Sequence, residues 1–199
     1  MTAVEAAAAR GGRPPATTRA ELEQVALELF AERGFEATTV DDIAAAVGIG
    51  RRTFFRYYSS KNDVVWGDFD AGLAALRERL AAESGRPLLD ALRVAVLAFN
   101  ALGPEQTAWH RQRMELILRV PALQAHSTLR YRAWRQVVAE HAAARLGQTL
   151  EDLLPQLVAH SCLGAALTAY EQWLHEPASD LAPLLEEALR ALDGRWAQR

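Results

Sequence analysis

Three helical patterns, one long and two short, are separated by glycines near the start of the chain. Their spacing constrains the fold more than any other feature. The first begins with a capping box at Thr18–Glu21, repeats apolar residues at three- and four-residue spacing, and ends at Gly34. The second follows a Thr-Thr pair at 38–39 and ends at Gly48, and the third covers residues 51–58. Two short helices joined by a glycine turn and packed on a longer helix form a helix-turn-helix unit.

Positive charge is concentrated on the third pattern. The chain carries a net charge of −3, yet residues 48–61 hold four basic residues and no acidic one. Helical spacing predicts an outward face made of Arg51, Arg52, Phe55 and Arg56. It predicts a core-facing side made of Ile49, Phe54 and Tyr58. Because arginine can donate two hydrogen bonds to guanine, this segment is typical of a recognition helix in the DNA major groove. The alternative is a set of core aromatics beside a basic turn.

The motif residues extend across all three patterns. They read Gly34-Phe35-x-x-Thr38-Thr39-Val40-x-x-Ile43-Ala44-x-x-Val47-Gly48-Ile49-x-x-x-Thr53-Phe54-Phe55-x-Tyr57-Tyr58-x-x-Lys61. This string, within residues 18–64, strongly resembles the DNA-binding region of the TetR family of bacterial regulators. The resemblance implies an all-helical homodimer that places one recognition helix in each half of a palindromic operator. By position, it implies DNA contacts from Thr39, Arg51, Arg52, Thr53, Phe55, Arg56, Tyr57 and Lys61.

The chain departs from the family pattern at two positions. The family often has serine where Gly50 stands, so we expect a weaker cap on the recognition helix. Val40 lacks the polar group with which some members contact a base. Lys61 is a candidate to clamp a DNA phosphate.

Longer helices are predicted beyond the helix-turn-helix. Their approximate ranges are 61–83, 87–101, 104–119, 122–146, 150–175 and 180–197. We therefore expect an all-α chain with three parts, which are a mobile arm at 1–16, a helix-turn-helix domain at 17–62, and a ligand-sensing and dimerisation domain at 63–199. The resemblance implies that the last two helices form the dimer interface. Small residues in 157–174 suit such an interface, although the same stripe could be intramolecular core.

An apolar and aromatic set with a few basic neighbours is the candidate effector site. Its members are Phe69, Phe99, Trp109, His110, Arg113, Met114, Leu118, Trp134 and Tyr170. Arg119 and Arg130 are further arginines at its border. An apolar tunnel with arginines at its mouth suits an amphipathic anion such as a long-chain acyl-CoA, a ligand class that a number of TetR regulators sense. The alternative for each aromatic residue is an ordinary place in the core.

A narrower resemblance rests on two further segments. Residues 66–70 read Trp-Gly-Asp-Phe-Asp, and residues 169–174 read Ala-Tyr-Glu-Gln-Trp-Leu. Together with residues 51–57, they resemble the TetR subgroup associated with mycofactocin biosynthesis gene clusters, which implies target genes in the maturation of a redox-cofactor peptide. Trp66 either packs as a hinge residue between the two domains or contacts the ligand.

Other classes of function have little support in the sequence. The five histidines show no HExxH spacing, and the chain has no phosphate-binding glycine loop or nucleophile elbow, so we expect no enzyme activity, metal site or cofactor. The single cysteine and the absence of a signal-peptide pattern or a long apolar run predict a cytoplasmic protein that does not enter a membrane. We therefore expect a ligand-responsive transcriptional repressor that its effector releases from DNA, with activation as a further reading. A helical small-molecule carrier or enzyme with incidental basic helices is the alternative from another class.

Overall fold

A computed structural model describes residues 18–101, 103 and 106–195, and every regular element in those ranges is helical, which confirms the predicted all-α class. The helices are α1 (Arg19–Arg33), α2 (Val40–Ala46), α3 (Arg51–Tyr57), α4 (Lys61–Trp66), α5 (Phe69–Ala82), α6 (Leu88–Phe99), α7 (Thr107–Arg119), α8 (Pro121–Leu146), α9 (Leu153–His175) and α10 (Leu181–Arg190). A π-helical turn at Ala191–Arg195 follows. The predicted arm at 1–16 lies outside the described residues.

The first three helices form the predicted helix-turn-helix unit. Thr18 and Glu21 make the capping box of α1, and Thr39 makes an equivalent box with Asp42 at the start of α2. Thr38 is instead buried, and its hydroxyl donates to the Gly34 carbonyl at 2.8 Å. The end of α1 and the start of α2 are thereby held together.

The prediction of one helix over 61–83 is wrong, because the chain breaks at Gly67. This glycine has φ +57° and ψ −140°, a conformation that residues with a side chain rarely adopt. Asp68 then starts α5 by accepting a hydrogen bond from the Ala71 backbone N–H at 3.4 Å. As a result α4 packs on α1, α7 and α8, whereas α5 packs on α6 and α8.

Other predicted boundaries shift by a few residues. Helix α7 begins at Thr107, and residues 104 and 105 lie outside the described part of the chain. Gly147 ends α8 in the left-handed conformation, and α9 begins only at Leu153. Helix α10 ends at Arg190, earlier than the predicted 197.

Two apolar clusters hold the helices together. The first joins buried residues of α1–α4 with buried residues of α7–α10, and the second joins α5 and α6 to α8, α9 and the end of α10. The predicted domain boundary at 62–63 therefore falls inside α4, within the first cluster. Because α1 and α4 both pack on α7 and interiors are close-packed, a shift of α7 would require α1 and α4 to repack.

Candidate DNA-binding surface and effector cavity

The recognition helix α3 divides into the two predicted faces. Phe54 and Tyr58 are buried and Ile49 is half-buried, which anchors the helix to α1 and α2. The exposed side chains are those of Arg51, Arg52, Phe55 and Arg56. Gly50 caps the helix without a side-chain hydrogen bond, which agrees with the weaker cap that its identity predicts.

The three arginines of α3 differ in their partners. Arg51 Nη1 lies 2.7 Å from Asp41 Oδ2, and its guanidinium lies 5.4 Å from the centre of the Phe55 ring. Both members of this ion pair are more than half exposed, so it contributes little stability and is easily exchanged for a phosphate or a base. Arg52 and Arg56 have no ion-pair partner among the described residues.

Three other predicted DNA-contacting residues either make hydrogen bonds within the chain or are partly buried. The Thr39 hydroxyl donates to Asp42 Oδ2 at 2.6 Å, and this bond and the backbone N–H of Thr39 lower the pKa of Asp42, helped by Arg33. Thr53 and Tyr57 are half-buried, and the Tyr57 carbonyl accepts a hydrogen bond from Arg19. These groups lie beside the exposed arginines with part of their surface available.

Lys61 is held by the protein itself. Its ammonium donates to the carbonyl oxygens of Phe35 at 2.7 Å, Thr38 at 3.1 Å and Glu36 at 3.4 Å. It also lies 4.4 Å from the centre of the Phe35 ring. An ammonium has three donors, so a phosphate contact would require Lys61 to give up one of these bonds. The geometry gives Lys61 a role in fixing the α1–α2 loop.

A cavity of about 240 Å³ lies among α4–α9, next to the break between α4 and α5. Of the predicted effector residues, those that line it are Phe69, Phe99, His110, Arg113, Met114, Trp134 and Tyr170. The cavity is also lined by residues that were not predicted from the sequence, namely Asp68, Gly72, Asn100, Ile117, Tyr131, Leu163, Ala166 and Leu167. Trp66 lines the cavity and contacts Phe69 and Tyr131 edge to face. It also belongs to the first apolar cluster, which contains the buried residues of α1–α3.

Four of the predicted residues lie away from the cavity lining. Leu118 packs against the first apolar cluster, and Trp109 lines a separate groove. Arg119 is exposed and pairs with Glu115 within α7. Arg130 pairs with Asp63 at 2.9 Å, which anchors α4 on α8. Of the three arginines predicted at the mouth, Arg113 is the one that lines the cavity.

The Asp63 anchor is ionised. Burial acts to raise the pKa of Asp63, but hydrogen bonds from Ser60 and Arg130, together with the nearby His126, lower it below its ordinary value. His126 Nε2 lies 3.1 Å from Asp63 Oδ1. The carboxylate thus joins α4 to Arg130 of α8, and His126 of the same helix lies beside this pair.

A directed chain of hydrogen bonds crosses the polar end of the cavity. Asn100 Nδ2 donates to the Val96 carbonyl at 2.7 Å, which leaves its Oδ1 to accept from the Tyr170 hydroxyl at 2.6 Å. Since that hydroxyl has one proton, His110 Nε2, at 2.8 Å, must be the donor in the last bond. Burial, with help from Arg113, lowers the pKa of His110 to about 4, and burial raises the pKa of Tyr170. Both side chains are neutral at pH 7.

Two ion pairs connect the cavity lining to α1 of the helix-turn-helix. Asp68 Oδ1 lies 3.3 Å from Arg19 Nη1 in an exposed pair, and the second pair is largely buried. Arg113 Nη2 lies 3.0 Å from Oε2 of Glu23 in α1, and both side chains are largely buried. The other carboxylate oxygen of Glu23 accepts a hydrogen bond from the hydroxyl of Tyr58, the buried anchor of α3. Burial and Glu23 together raise the pKa of Tyr58, so this phenol stays protonated. The role of Glu23 was not predicted from the sequence. The one available signal is that this acidic residue lies next to the apolar face of α1.

A groove of about 380 Å³ runs along the outside of this ion pair, between α1 and α7. It is lined by Ala20, Glu23, Gln24, Leu27, Gln106, Trp109, His110 and Arg113. Because His110 and Arg113 line both spaces, they form part of the wall between the cavity and the groove.

Comparison with known proteins identifies the family. A model described as the MftR C-terminal domain matches residues 86–197, and one for bacterial regulatory proteins of the tetR family matches residues 24–65. The chain belongs to the TetR family. It is 48% identical to a Mycobacterium tuberculosis protein assigned as the mycofactocin biosynthesis transcriptional regulator MftR, over 90% of this chain and 91% of that protein. The narrower predicted resemblance is thereby confirmed.

Two other TetR-type relatives cover most of the chain. The HTH-type transcriptional regulator TcmR of Streptomyces glaucescens is 33% identical over 88% of this chain and 81% of its own length. The structure of Thermus thermophilus FadR, a TetR-family transcriptional repressor in complex with lauroyl-CoA, superposes with a TM-score of 0.56 at 28% identity, covering 88% of this chain and 93% of that one. These relatives are regulators and not enzymes.

Two features are absent from the part of the chain that the structure describes. No helix there has the length and apolar character needed to cross a membrane. Nor do His, Cys, Asp and Glu side chains gather there in threes or more as a metal ion would require.

Proposed function

We propose that this TetR-family protein is a repressor that binds a palindromic operator as a homodimer and is released by a small amphipathic effector such as a long-chain acyl-CoA. Its targets would be mycofactocin-related genes, and it would act in the cytoplasm, where its operator lies. The observation that carries the proposal is the Arg113–Glu23 contact, because it joins an apolar cavity directly to the helix that supports the recognition helix.

The exposed face of α3 supports operator binding. It presents Arg51, Arg52 and Arg56 around a half-exposed Phe55, and acidic residues are absent from the helix. Arginine can read guanine from the major groove, and Phe55 offers an apolar surface to a thymine methyl group. Two such helices in a dimer must lie about 34–36 Å apart, or a multiple of it, to enter successive major grooves.

The outer face of α9 supports a dimer. Leu153 and Leu157 are 77% and 54% exposed, and Gly164 and Thr168 follow on the same face with their surroundings open. The opposite face, with Cys162, Ala166 and Ala169, is buried in the chain's own core. Exposed leucines beside small residues permit the close helix packing of a two-fold interface.

The cavity supports release by an effector that is larger than the space now present. About 240 Å³ lies below the roughly 300–1,000 Å³ of pockets that hold drug-sized ligands, so a long acyl chain must push the lining helices apart. The lining includes the α4–α5 break, and α4 packs on α1. Lauroyl-CoA in the Thermus thermophilus relative is an example of the ligand class.

The test is fluorescence anisotropy on duplex DNA from upstream of the protein's own gene, with and without lauroyl-CoA. We expect binding that exceeds binding to random duplex and is lost on adding lauroyl-CoA. Arg51→Ala and Arg52→Ala should each weaken operator binding by about 1–3 kcal/mol. Arg132→Ala removes an exposed arginine of α8 and should leave operator binding unchanged.

The same titrations contain the results that contradict the proposal. Each phosphate contact should add about 0.9 to the slope of log affinity against log salt concentration. An affinity for DNA that does not change with salt would therefore exclude operator binding. Operator binding that ignores lauroyl-CoA would retain the regulator and exclude this effector class. Operator affinity unchanged in both α3 variants would exclude this recognition face.

A further inference from the structure

We infer that the cavity selects its effector by negative charge, and that Arg113 exchanges Glu23 of the helix-turn-helix for an anionic group of that effector. This inference rests on the proposed function, because it specifies the ligand chemistry and the regulation of the same cavity. The ligand class is an apolar chain that ends in an anion. The anion is either the carboxylate of a fatty acid or the phosphates of an acyl-CoA.

The position of Arg113 supports a site for that anion. Arg113 lines both the apolar cavity and the groove between α1 and α7. An apolar chain in the cavity whose polar end leaves through this wall must therefore pass the guanidinium. Trp109 and Gln24 line the groove beyond it and offer an aromatic surface and an amide to the emerging group.

The charges around the cavity leave Arg113 as the group that an anion would bind. The other ionisable groups in the lining include Asp68, which is acidic, and His110, which is neutral because its pKa is lowered to about 4. Asp68 already has a cationic partner, Arg19, at 3.3 Å. Among the residues described as lining the cavity, Arg113 is the one cation.

The hydrogen bonding of Arg113 is incomplete. One nitrogen binds Glu23 at 3.0 Å, whereas Nε is buried and has no partner in the described part of the chain. An unpaired buried donor costs free energy, and a guanidinium binds a carboxylate or phosphate best through two parallel hydrogen bonds. Since Nε has almost no accessible surface here, an incoming anion would reach it, and the nitrogen shared with Glu23, only as the lining helices separate.

Loss of this ion pair would be felt by the recognition helix. Glu23 would keep only Tyr58 of the two partners that hold its carboxylate, and a buried charge without its counter-ion is unstable. The carboxylate would then move towards water, and α1 and Tyr58 would move with it. By thermodynamic reciprocity, operator DNA must weaken anion binding by the same factor by which the anion weakens DNA binding.

The experiment measures this coupling factor for three probes that share a twelve-carbon chain: lauroyl-CoA, laurate and uncharged 1-dodecanol. Operator affinity is measured by anisotropy with and without saturating probe, and probe affinity by calorimetry. The variants are Glu23→Gln and Arg113→Gln. Arg93→Gln is the matched control, since Arg93 is similarly buried and pairs with Asp90 and Glu186 away from the cavity.

In the wild type and in Arg93→Gln, the effective anion should weaken operator binding by about 5- to 150-fold, the usual range for allosteric coupling. Dodecanol should bind without comparable release. Glu23→Gln should bind the anion more tightly and reduce its coupling to about 1, while Arg113→Gln should bind the anion more weakly and leave dodecanol affinity unchanged. Which of laurate and lauroyl-CoA is effective identifies the source of the negative charge.

Three results would overturn the inference. Equal release by dodecanol would mean that cavity expansion suffices without charge. Full coupling in Glu23→Gln, or unchanged anion affinity in Arg113→Gln, would mean that the two residues are not exchange partners. If none of the probes binds although operator binding is intact, the exchange fails together with the proposed effector class.

Discussion

Replacing Gly67 with alanine should destabilise the protein through both backbone strain and a specific collision. The φ and ψ angles of +57° and −140° lie close to a region open essentially to glycine alone, which costs about 1–3 kcal/mol for alanine. A Cβ there would also lie 2.7 Å from Glu23 Oε2. Glu23 cannot move freely because it holds Arg113 and Tyr58, and weakening a charged hydrogen bond costs about 1.5–3 kcal/mol. We expect a total loss of about 3–5 kcal/mol.

Gly147→Ala is the matched control, because Gly147 also has a positive φ, +65°, but no atom lies within 4 Å of the Cβ that alanine would add. It should cost about 1 kcal/mol, since the left-handed conformation is moderately strained and alanine also restricts the unfolded chain. Calorimetric melts at one protein concentration should show the difference, because each kcal/mol shifts Tm by about 2–4 °C in a chain of this size.

A double-mutant cycle separates the two causes. In a Glu23→Ala background the collision is absent, so Gly67→Ala should then cost only its backbone part. Equal Tm losses in Gly67→Ala and Gly147→Ala, or no change in the cost of Gly67→Ala when Glu23 is removed, would refute the argument.

Two further predictions concern partly buried polar side chains. Lys61→Met should lower the free energy of unfolding by about 2 kcal/mol, since its ammonium holds three carbonyl oxygens, and leave the salt dependence of operator binding unchanged; a slope smaller by about 0.9 would reveal a phosphate contact. His110 should make stability fall by up to about 3 kcal/mol from pH 7 to pH 4, because the unfolded chain gains a proton near pH 6.5 and the folded one only near pH 4. Chemical denaturation across this range should show a smaller pH dependence in His110→Gln, and an unchanged dependence would contradict the assignment.

Local rules predicted the helix-turn-helix well. Capping residues, glycine stops and apolar spacing act over a few neighbouring residues, so Thr18, Gly34 and the two faces of α3 could be read directly from the sequence. The same rules failed at 61–83, where apolar spacing continues through Gly67 although the backbone turns. The presence of a glycine does not by itself show whether a helix continues or breaks there, because that depends on the φ angle the glycine adopts.

The candidate effector cavity was harder to predict because it depends on contacts between distant segments. Aromatic residues such as Phe69 and Tyr170 could be selected by size and polarity, but their common cavity follows from the packing of α5 against α8 and of α7 against α9. Lys61 and Arg130 show the opposite difficulty, because a charge in the sequence does not reveal its intramolecular partners. Each was selected for its charge, whereas the fold pairs each with groups of its own chain.

The turn at Gly67 and the Arg113–Glu23 ion pair are in direct contact and depend on each other. Gly67 allows the chain to turn between α4 and α5, and the absence of a side chain there leaves the space that Glu23 occupies. Any movement of α4 relative to α1 therefore changes the room available to Glu23, and any displacement of Glu23 from Arg113 acts on the turn beside it. Since α4 leads directly from the recognition helix into the cavity wall, the dimeric regulator that we propose would need its ligand to disturb only this point to alter the spacing of its two recognition helices.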